Sequence, residues 1–322
     1  NIDLISERHI DQVEKDVREL KKAYPHKVVG ASIMGQKKEH WQALVRRLEA
    51  AGVDFIECSF SCPHGMPERG MGSTIGQDAE LTERTARWVK EAASRVPVSI
   101  KVTPLVADLP HIARAVQKSG ADAITAINTV KCLIGVDIDN FVPYPVVDGK
   151  SSYGGYSGAA IKPISLRCVA EIAKAVDMPI SATGGISTWR DAVEFLLCGA
   201  RNLQVCTAAM KHGFRIIEDL TDGLSVYLED KGMSRVEELV GLALPNIVEH
   251  SHLSREYKPV SKINLETCVK CDVCYIACQD GGHQAITLDD KRLPHVDEEK
   301  CVGCAMCASV CPVFECIQMA PR

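Results

Sequence analysis

The sequence lacks several features that would assign it at once to a familiar functional class. No apolar run approaches the ~18 residues that a membrane-spanning helix needs. The net charge of -5 leaves no basic excess, so nucleic acid is not an expected partner. No G-x-G-x-x-G follows a predicted strand, and no HExxH motif or Ser/His/Asp arrangement competes. We therefore expect no membrane span and no internal dinucleotide-binding fold.

Cysteine, in contrast, is abundant. The 322 residues suit about two domains, and they include 15 cysteines. Nine of these lie in the last 55 residues, and eight of the nine follow the spacing of metal ligands. Because cytosolic thiols are kept reduced, this pattern predicts metal-bound cysteines in a cytoplasmic protein.

Upstream of this region, short apolar strands alternate with amphipathic helices. Strands are predicted at Val28–Met34, Asp54–Phe60, Val98–Thr103, Ala123–Thr129, Ile180–Ile186 and Asn202–Ala208. Helices are predicted near 38–51, 79–95, 109–119, 162–176, 188–198 and 214–231, with one more at 233–245. Continuous apolar strands separated by helices predict a parallel sheet covered on both faces.

The periodicity fits a doubly wound sheet or a (β/α)8 TIM-type barrel equally well. Polar and glycine residues follow nearly every strand, namely Cys62, Lys101, Asn128–Thr129, Gly184–Gly185 and Cys206–Thr207. A barrel collects all such ends at one mouth, whereas an open sheet offers only a switch point. We therefore predict an α/β barrel over 1–249 that lacks its first two βα units in this sequence. A linker over 250–262 and a small ferredoxin-like domain over 263–322 follow.

The last domain carries two cysteine runs of the same form. They read C268-x2-C271-x2-C274-x3-C278 and C301-x2-C304-x2-C307-x3-C311-P. In two-cluster ferredoxins the fourth cysteine of each run ligates the other cluster. This predicts two [4Fe–4S] clusters, one held by Cys268, Cys271, Cys274 and Cys311, the other by Cys301, Cys304, Cys307 and Cys278. Cys316 has no ligand spacing and is predicted to be a packed thiol.

Several segments together resemble a known family. They are ECSFSCPHG (57–65), IKVTP (100–104), AINT (126–129), GKSSYGGYSG (149–158), ATGGI (182–186), LQVC (203–206) and YIACQDGGHQAI (275–286). In this order they resemble the flavin-binding half and cluster domain of dihydropyrimidine dehydrogenases, and more widely the dihydroorotate dehydrogenase family. The resemblance covers essentially the whole chain.

The resemblance implies an enzyme that uses FMN and reversibly reduces the 5,6 double bond of uracil or thymine. FMN would pass a hydride to C6 of the ring while Cys62, which matches the family's general acid, protonates C5 from the other face. A thiol suits this role, since its unperturbed pKa near ~8.5 keeps it protonated at neutral pH.

The resemblance also implies the binding residues. Asn128 and Thr129 match contacts to the amide edges of the pyrimidine, and Asn1 matches another. Asp3 and Ser59 stand at two further substrate positions, where the family usually has glutamate and asparagine. The cofactor residues implied are Lys101 beside the flavin ring, Gly184, Gly185, Cys206 and Thr207 at the FMN phosphate, and Gly155 and Ser157 on the flavin side.

Electrons from NAD(P)H would reach the clusters indirectly, because the chain has no dinucleotide-binding motif of its own. The implied partner is a reductase subunit with FAD and a nucleotide site, which predicts a hetero-oligomer. Two alternatives stay open. One is a dihydroorotate dehydrogenase-type enzyme acting on another dihydro-ring, and the other is a non-catalytic electron-transfer protein.

Overall fold

The computed structural model describes residues 6, 8–63, 70–254 and 256–322. Two compact units divide the chain, Asn1–Ile247 and Val248–Arg322. Within the described ranges, no helix is long and apolar enough to cross a membrane.

The first unit is built on a parallel sheet. The strands of this unit, in chain order, are β1 (Gly30–Ile33), β2 (Phe55–Ser59), β3 (Val98–Lys101), β4 (Ala123–Ala126), β5 (Val130–Cys132), β6 (Val136–Asp137), β7 (Val142–Pro143), β8 (Gly154–Tyr156), β9 (Ile180–Thr183) and β10 (Asn202–Gln204). The main sheet pairs in the order β1-β2-β3-β4-β9-β10, and every pair is parallel. This is the order of successive strands in a barrel, whereas a doubly wound sheet reverses direction at a switch point. The barrel-type prediction is confirmed, and each of the six predicted strands contains one of these six.

Helices cover one face of this sheet, not both faces as the apolar strands predicted, because in a barrel the other face turns inward. They are α1 (Ile10–Ala23), α2 (Lys38–Ala51), α3 (Ser73–Gly76), α4 (Ala79–Ala92), α5 (Leu109–Ser119), α6 (Lys162–Ala175), α7 (Trp189–Leu197), α8 (Thr207–His212) and α9 (Ile216–Asp230). Local signals set their ends: Asp78 and Asp108 cap the starts of α4 and α5, and a capping box of Thr188 with Asp191 begins α7. Helix α1 was not predicted from the sequence.

Side-chain alternation along the strands separates the two faces of the sheet. Ile56 and Cys58 of β2 and Val98 and Ile100 of β3 are fully buried in the hydrophobic core. Glu57 of β2 and Ser99 and Lys101 of β3 alternate with these residues along the strands, and they point to the opposite, inner face. The inner face is therefore polar, and it is the face on which the site is built.

Two segments differ from the predictions. The connection between β4 and α6 contains two small antiparallel pairs, β5 with β8 and β6 with β7, that the sequence did not indicate. The prediction of a helix at 233–245 is wrong, because the region forms only two 3-10 turns, Val236–Leu239 and Leu244–Asn246. Gly241, at φ +79, and Pro245 lie within this stretch and interrupt a continuous helix.

The described residues of the second unit form two short antiparallel sheets and two α-helices. Strand β11 (Pro259–Ile263) pairs with β14 (Ile317–Pro321), and β12 (Ile286–Leu288) pairs with β13 (Pro294–Val296). Helices α10 (Val273–Asp280) and α11 (Met306–Val310) each begin inside a cysteine run. The segment 250–262, predicted as a linker, thus ends in a strand of this unit.

Candidate active site and cluster sites

A cavity opens at the carboxyl ends of the parallel strands. Eight of the predicted site residues line it: Lys101, Asn128, Thr129, Ser157, Gly184, Gly185, Cys206 and Thr207. They come from segments that follow β3, β4, β8, β9 and β10, which a barrel topology brings to one mouth. Among the described residues, Ser59 and Cys62 at the end of β2 and Gly155 in β8 are not part of this lining. Asn1 and Asp3 lie outside the described residues.

A close backbone approach forms one wall of the cavity. Gly184 and Gly185 follow β9 with φ of +121° and +99°, a region that side chains rarely adopt. A Cβ added to Gly185 would lie 2.7 Å from Cβ and 2.8 Å from Cα of Lys162, and one on Gly184 would lie 2.9 Å from Oγ of Ser165. The backbone of this wall is therefore bare, as a phosphate cradle requires.

Two hydroxyl groups meet in the lining of the same cavity. Thr207, at the start of α8, and Ser157 are joined by a hydrogen bond of 3.0 Å between their Oγ atoms. Gly158 beside them has φ +86°, and its own added Cβ would lie 3.2 Å from Cγ2 of Thr207. Bare backbone and hydroxyl donors together fit the phosphate of FMN.

The side-chain amide of Asn128, a predicted substrate contact, has a defined orientation. Its Nδ2 donates to Oγ of Ser61 at 3.0 Å, and its Oδ1 accepts from the backbone N–H of Thr129 at 2.7 Å. Ser61 is fully buried and was not among the predicted site residues. The one feature of the sequence that could have indicated Ser61 is its position, as a polar residue directly before Cys62 at the end of an apolar strand.

Cys62 is buried, and backbone hydrogen bonds hold the segment around it. The Ser73 N–H donates to the Cys62 carbonyl at 3.1 Å, and the Gly76 N–H donates to the Phe60 carbonyl at 3.0 Å. A Cβ on Gly76 would lie 2.2 Å from that same Phe60 oxygen, so α3 can pack here only through glycine. The intervening residues 64–69 are outside the described ranges.

Cys58 provides a contrast four residues earlier. It lies in β2, within the hydrophobic core, whereas Cys62 follows the strand and is not part of that core. Burial, together with the nearby Glu57 carboxylate, raises the pKa of the Cys58 thiol far above its usual range. Cys58 is a packing residue with no access to the cavity side.

Lys101 belongs to a polar network that runs across the inner face of the sheet. Its Nζ donates to Oε1 of Glu57 at 3.1 Å, and Oε2 of Glu57 accepts from Nε2 of Gln204 at 2.9 Å. Gln204 also donates to Oγ of Ser181 at 3.1 Å. Glu57 is only 6% exposed, so this carboxylate is compensated by its partners rather than by water.

In the second unit the cysteines of the two runs surround two cavities. Cys268, Cys271, Cys274 and Cys311 line one cavity, and Cys278, Cys301, Cys304 and Cys307 line the other. Among the described residues, no three His, Cys, Asp or Glu side chains lie close enough together to hold a single ion. Four thiols around a cavity instead suit a cubane cluster, whose ligands stand at its corners.

The backbone of the two runs repeats the same geometry. The residues on either side of the second cysteine have positive φ in both runs: Lys270 at 57° and Asp272 at 61°, Gly303 at 69° and Ala305 at 61°. Each loop is thereby wrapped tightly around its cavity. Burial raises the pKa of the Cys274 thiol to about 11. Cys316 is a fifth cysteine in the lining of the first cavity, and its buried thiol donates to the carbonyl of Asn264.

Fold and site together define an α/β-barrel oxidoreductase whose cofactors are FMN and two [4Fe–4S] clusters. The chain belongs to the dihydroorotate dehydrogenase family, whose model, "Dihydroorotate dehydrogenase", matches residues 5–228. A second model, "4Fe-4S dicluster domain", matches residues 261–319.

Individual relatives extend this comparison. The chain is 47% identical to the NAD-dependent dihydropyrimidine dehydrogenase subunit PreA of Escherichia coli K12, over 99% of this chain and 78% of that protein. It is 42% identical to the catalytic subunit of dihydroorotate dehydrogenase B (NAD(+)) of Pyrococcus furiosus, over 66% of this chain and 67% of that one. A dihydroorotate dehydrogenase structure from Eimeria tenella shares the fold, with a TM-score of 0.58 and 20% identity over 72% of this chain and 66% of that one.

Proposed function

We propose that this chain reduces the 5,6 double bond of uracil or thymine, as the catalytic subunit of an NAD-dependent dihydropyrimidine dehydrogenase. The observation that carries the proposal is the cavity at the strand ends, which gathers eight predicted flavin and substrate residues, one of which, Asn128, is hydrogen-bonded to Ser61 directly before Cys62. The full-length similarity to a dihydropyrimidine dehydrogenase subunit supports it.

When bound, FMN supplies a hydride to C6 of the ring, and the clusters deliver electrons one at a time. The chain's own groups then have separate tasks. Gly184, Gly185, Ser157 and Thr207 hold the phosphate, with Cys206 at the start of α8 beside them. Lys101 presents a cation to the flavin ring. Gly155 supports the flavin side from β8.

Asn128 and Thr129 bind the pyrimidine. An amide that both donates and accepts matches the alternating N–H and C=O groups of a cyclic imide. Ser61 and Thr129 fix the Asn128 amide before substrate arrives, which removes an ordering cost from binding. Ser59, and Asn1 and Asp3 from outside the described residues, complete the proposed substrate contacts.

Cys62 is the proposed general acid, which donates the proton of its Sγ to C5 of the ring. The hydrogen bonds from Ser73 and Gly76 to the Cys62 segment hold its backbone in place during this step. A positioned general acid contributes ~10²–10⁴-fold to the rate.

Electrons reach this chain from NAD(P)H through a proposed reductase partner that carries FAD, in a hetero-oligomer. Each proposed set of four ligands lines one cavity, which supports the two cluster assignments, with Cys311 and Cys278 exchanged between runs. No disulfide joins cysteines of the described residues, which supports the cytoplasm as the proposed compartment.

Two experiments test this function. The anaerobically reconstituted full-length protein, driven by reduced viologen, is expected to reduce uracil or thymine faster than orotate. The similarity to a dihydroorotate dehydrogenase catalytic subunit favours orotate as the second candidate. Rapid turnover of orotate with none of uracil or thymine would overturn the proposal in favour of that enzyme.

The second experiment replaces the acid. Cys62→Ala is expected to lower steady-state reduction by ~10²–10⁴-fold while FMN remains bound. The matched control is Cys58→Ala in the hydrophobic core of β2, which should keep turnover near that of the wild type. Unchanged turnover in Cys62→Ala would show that another group supplies the proton.

A further inference from the structure

Glu57 is a buried carboxylate to which the proposed chemistry gives no task. It lies on the inner face of β2, one layer below the cavity, and is 6% exposed. Its one cationic partner among the described residues is Lys101, at 3.1 Å, and Lys101 lines the cavity. A carboxylate is rarely buried in this way unless it is paired and hydrogen-bonded.

The second oxygen of Glu57 is fixed as well. Gln204 donates to it at 2.9 Å from β10, on the far edge of the sheet. Gln204 is held in turn by Ser181, whose hydroxyl donates to Oδ1 of Asn202 at 2.6 Å. Both oxygens of the carboxylate are therefore bound by side chains from other strands, and the carboxylate cannot turn away from Lys101.

We propose that Glu57 is a positioning residue that aims the Lys101 ammonium at the flavin ring and offsets its charge there. The inference rests on the proposed function, since it assumes FMN in the cavity. An ion pair presents a weaker field to a neighbouring group than a lone cation does. Glu57 thus limits how strongly Lys101 favours the reduced, more negatively charged flavin.

The test is the flavin midpoint potential of the FMN-loaded, full-length protein. Glu57→Gln keeps the shape and removes the negative charge. We expect the ratio of reduced to oxidised flavin at a fixed applied potential to rise about tenfold, which is about 30 mV for a two-electron couple. The control is Ser99→Ala, an inner-face neighbour that is hydrogen-bonded to Thr125 at 2.8 Å, and it should leave the ratio unchanged.

A double-mutant comparison separates this role from general packing. In a Lys101→Met background there is no ammonium left for Glu57 to aim or offset, so the part of the Glu57→Gln effect that acts through Lys101 is lost. The same substitution should then alter the ratio less than about twofold. No change in the single variant, or an equal change in both backgrounds, would overturn the inference.

The outcomes also distinguish this inference from the proposed function. Wild-type protein that binds no FMN would refute the function, and the inference with it. Wild-type protein that binds FMN, with Glu57→Gln indistinguishable from it, would refute the inference alone.

If Glu57→Gln does not fold, Lys101→Met is compared with Lys101→Met/Glu57→Gln. The double variant should melt at the higher temperature at pH 8, because it no longer buries a lone carboxylate, and an equal or lower temperature would overturn the inference.

Discussion

Gly185 is a position where both the backbone conformation and the proposed binding of FMN require a residue without a side chain. Its φ of +99° is costly for any residue with a Cβ, by ~1–3 kcal/mol. In addition, an alanine Cβ would lie 2.7–2.8 Å from Cβ, Cα and N of Lys162. Two of these atoms are backbone atoms of α6, so the clash cannot be relieved by a change of rotamer. Overpacking of this kind costs a further ~1–3 kcal/mol.

The two costs add to ~2–6 kcal/mol for Gly185→Ala. At ~2–4 °C per kcal/mol for a unit of this size, the melting temperature should fall by roughly 4–24 °C. The control is Gly120→Ala at the end of α5. Gly120 has a similar φ of +83° but nothing within 4 Å of an added Cβ, so only the conformational cost of ~1–3 kcal/mol applies.

Thermal unfolding of the FMN-free proteins, followed by circular dichroism, measures this difference. FMN affinity, measured by flavin fluorescence, should be weakened in Gly185→Ala and unchanged in Gly120→Ala. If the two variants lost equal stability, the contact with Lys162 would carry no energetic weight. If Gly185→Ala bound FMN normally, the phosphate would lie elsewhere in the cavity.

Two further predictions concern a buried carboxylate and the cluster ligands. Although burial alone would raise it, hydrogen bonds from the backbone of Arg95, Val96 and Ser94 and from the Ser94 hydroxyl hold the pKa of Glu49 below its usual 4.5. The stabilisation by the Glu49 carboxylate is therefore present above pH 4.5 and is lost as the pH falls through the lower, folded-state pKa. Glu49→Gln should cost ~2–3 kcal/mol in urea unfolding at pH 7 and less in acid, and a loss independent of pH would contradict this assignment. Cys311→Ala should remove the cluster of Cys268, Cys271 and Cys274 and about half of the iron, whereas Cys316→Ser should retain both clusters. Loss of the other cluster's electron paramagnetic resonance signal in Cys311→Ala would show that the fourth ligands are not exchanged between runs.

Much of the fold could be predicted because its signals are local. Helices α2 and α5 occupy the predicted ranges 38–51 and 109–119, where amphipathic patterns end at Gly52 and Gly120. The strands of the main sheet are short apolar runs between such helices. The pairs β5 with β8 and β6 with β7 escaped prediction, since strands of two or three residues are too short for a periodic pattern.

The site divides in the same way. Lys101, Asn128, Gly184 and Thr207 could be predicted because each follows a strand, and barrel topology places all such positions at one mouth. The roles of Ser61 and Glu57 could not be predicted, because each depends on a hydrogen bond to a residue that is distant in the sequence. Ser61 meets Asn128, 67 residues away.

The sequence by itself determined the two cysteine runs and the faces of the strands, because ligand spacing and side-chain alternation are properties of neighbouring residues. Only the tertiary structure decided which inner-face groups meet. Glu57 reaches Lys101 across 44 residues and Gln204 across 147 residues. Those contacts are set by strand order and register in the sheet, and alternation along one strand carries no information about either.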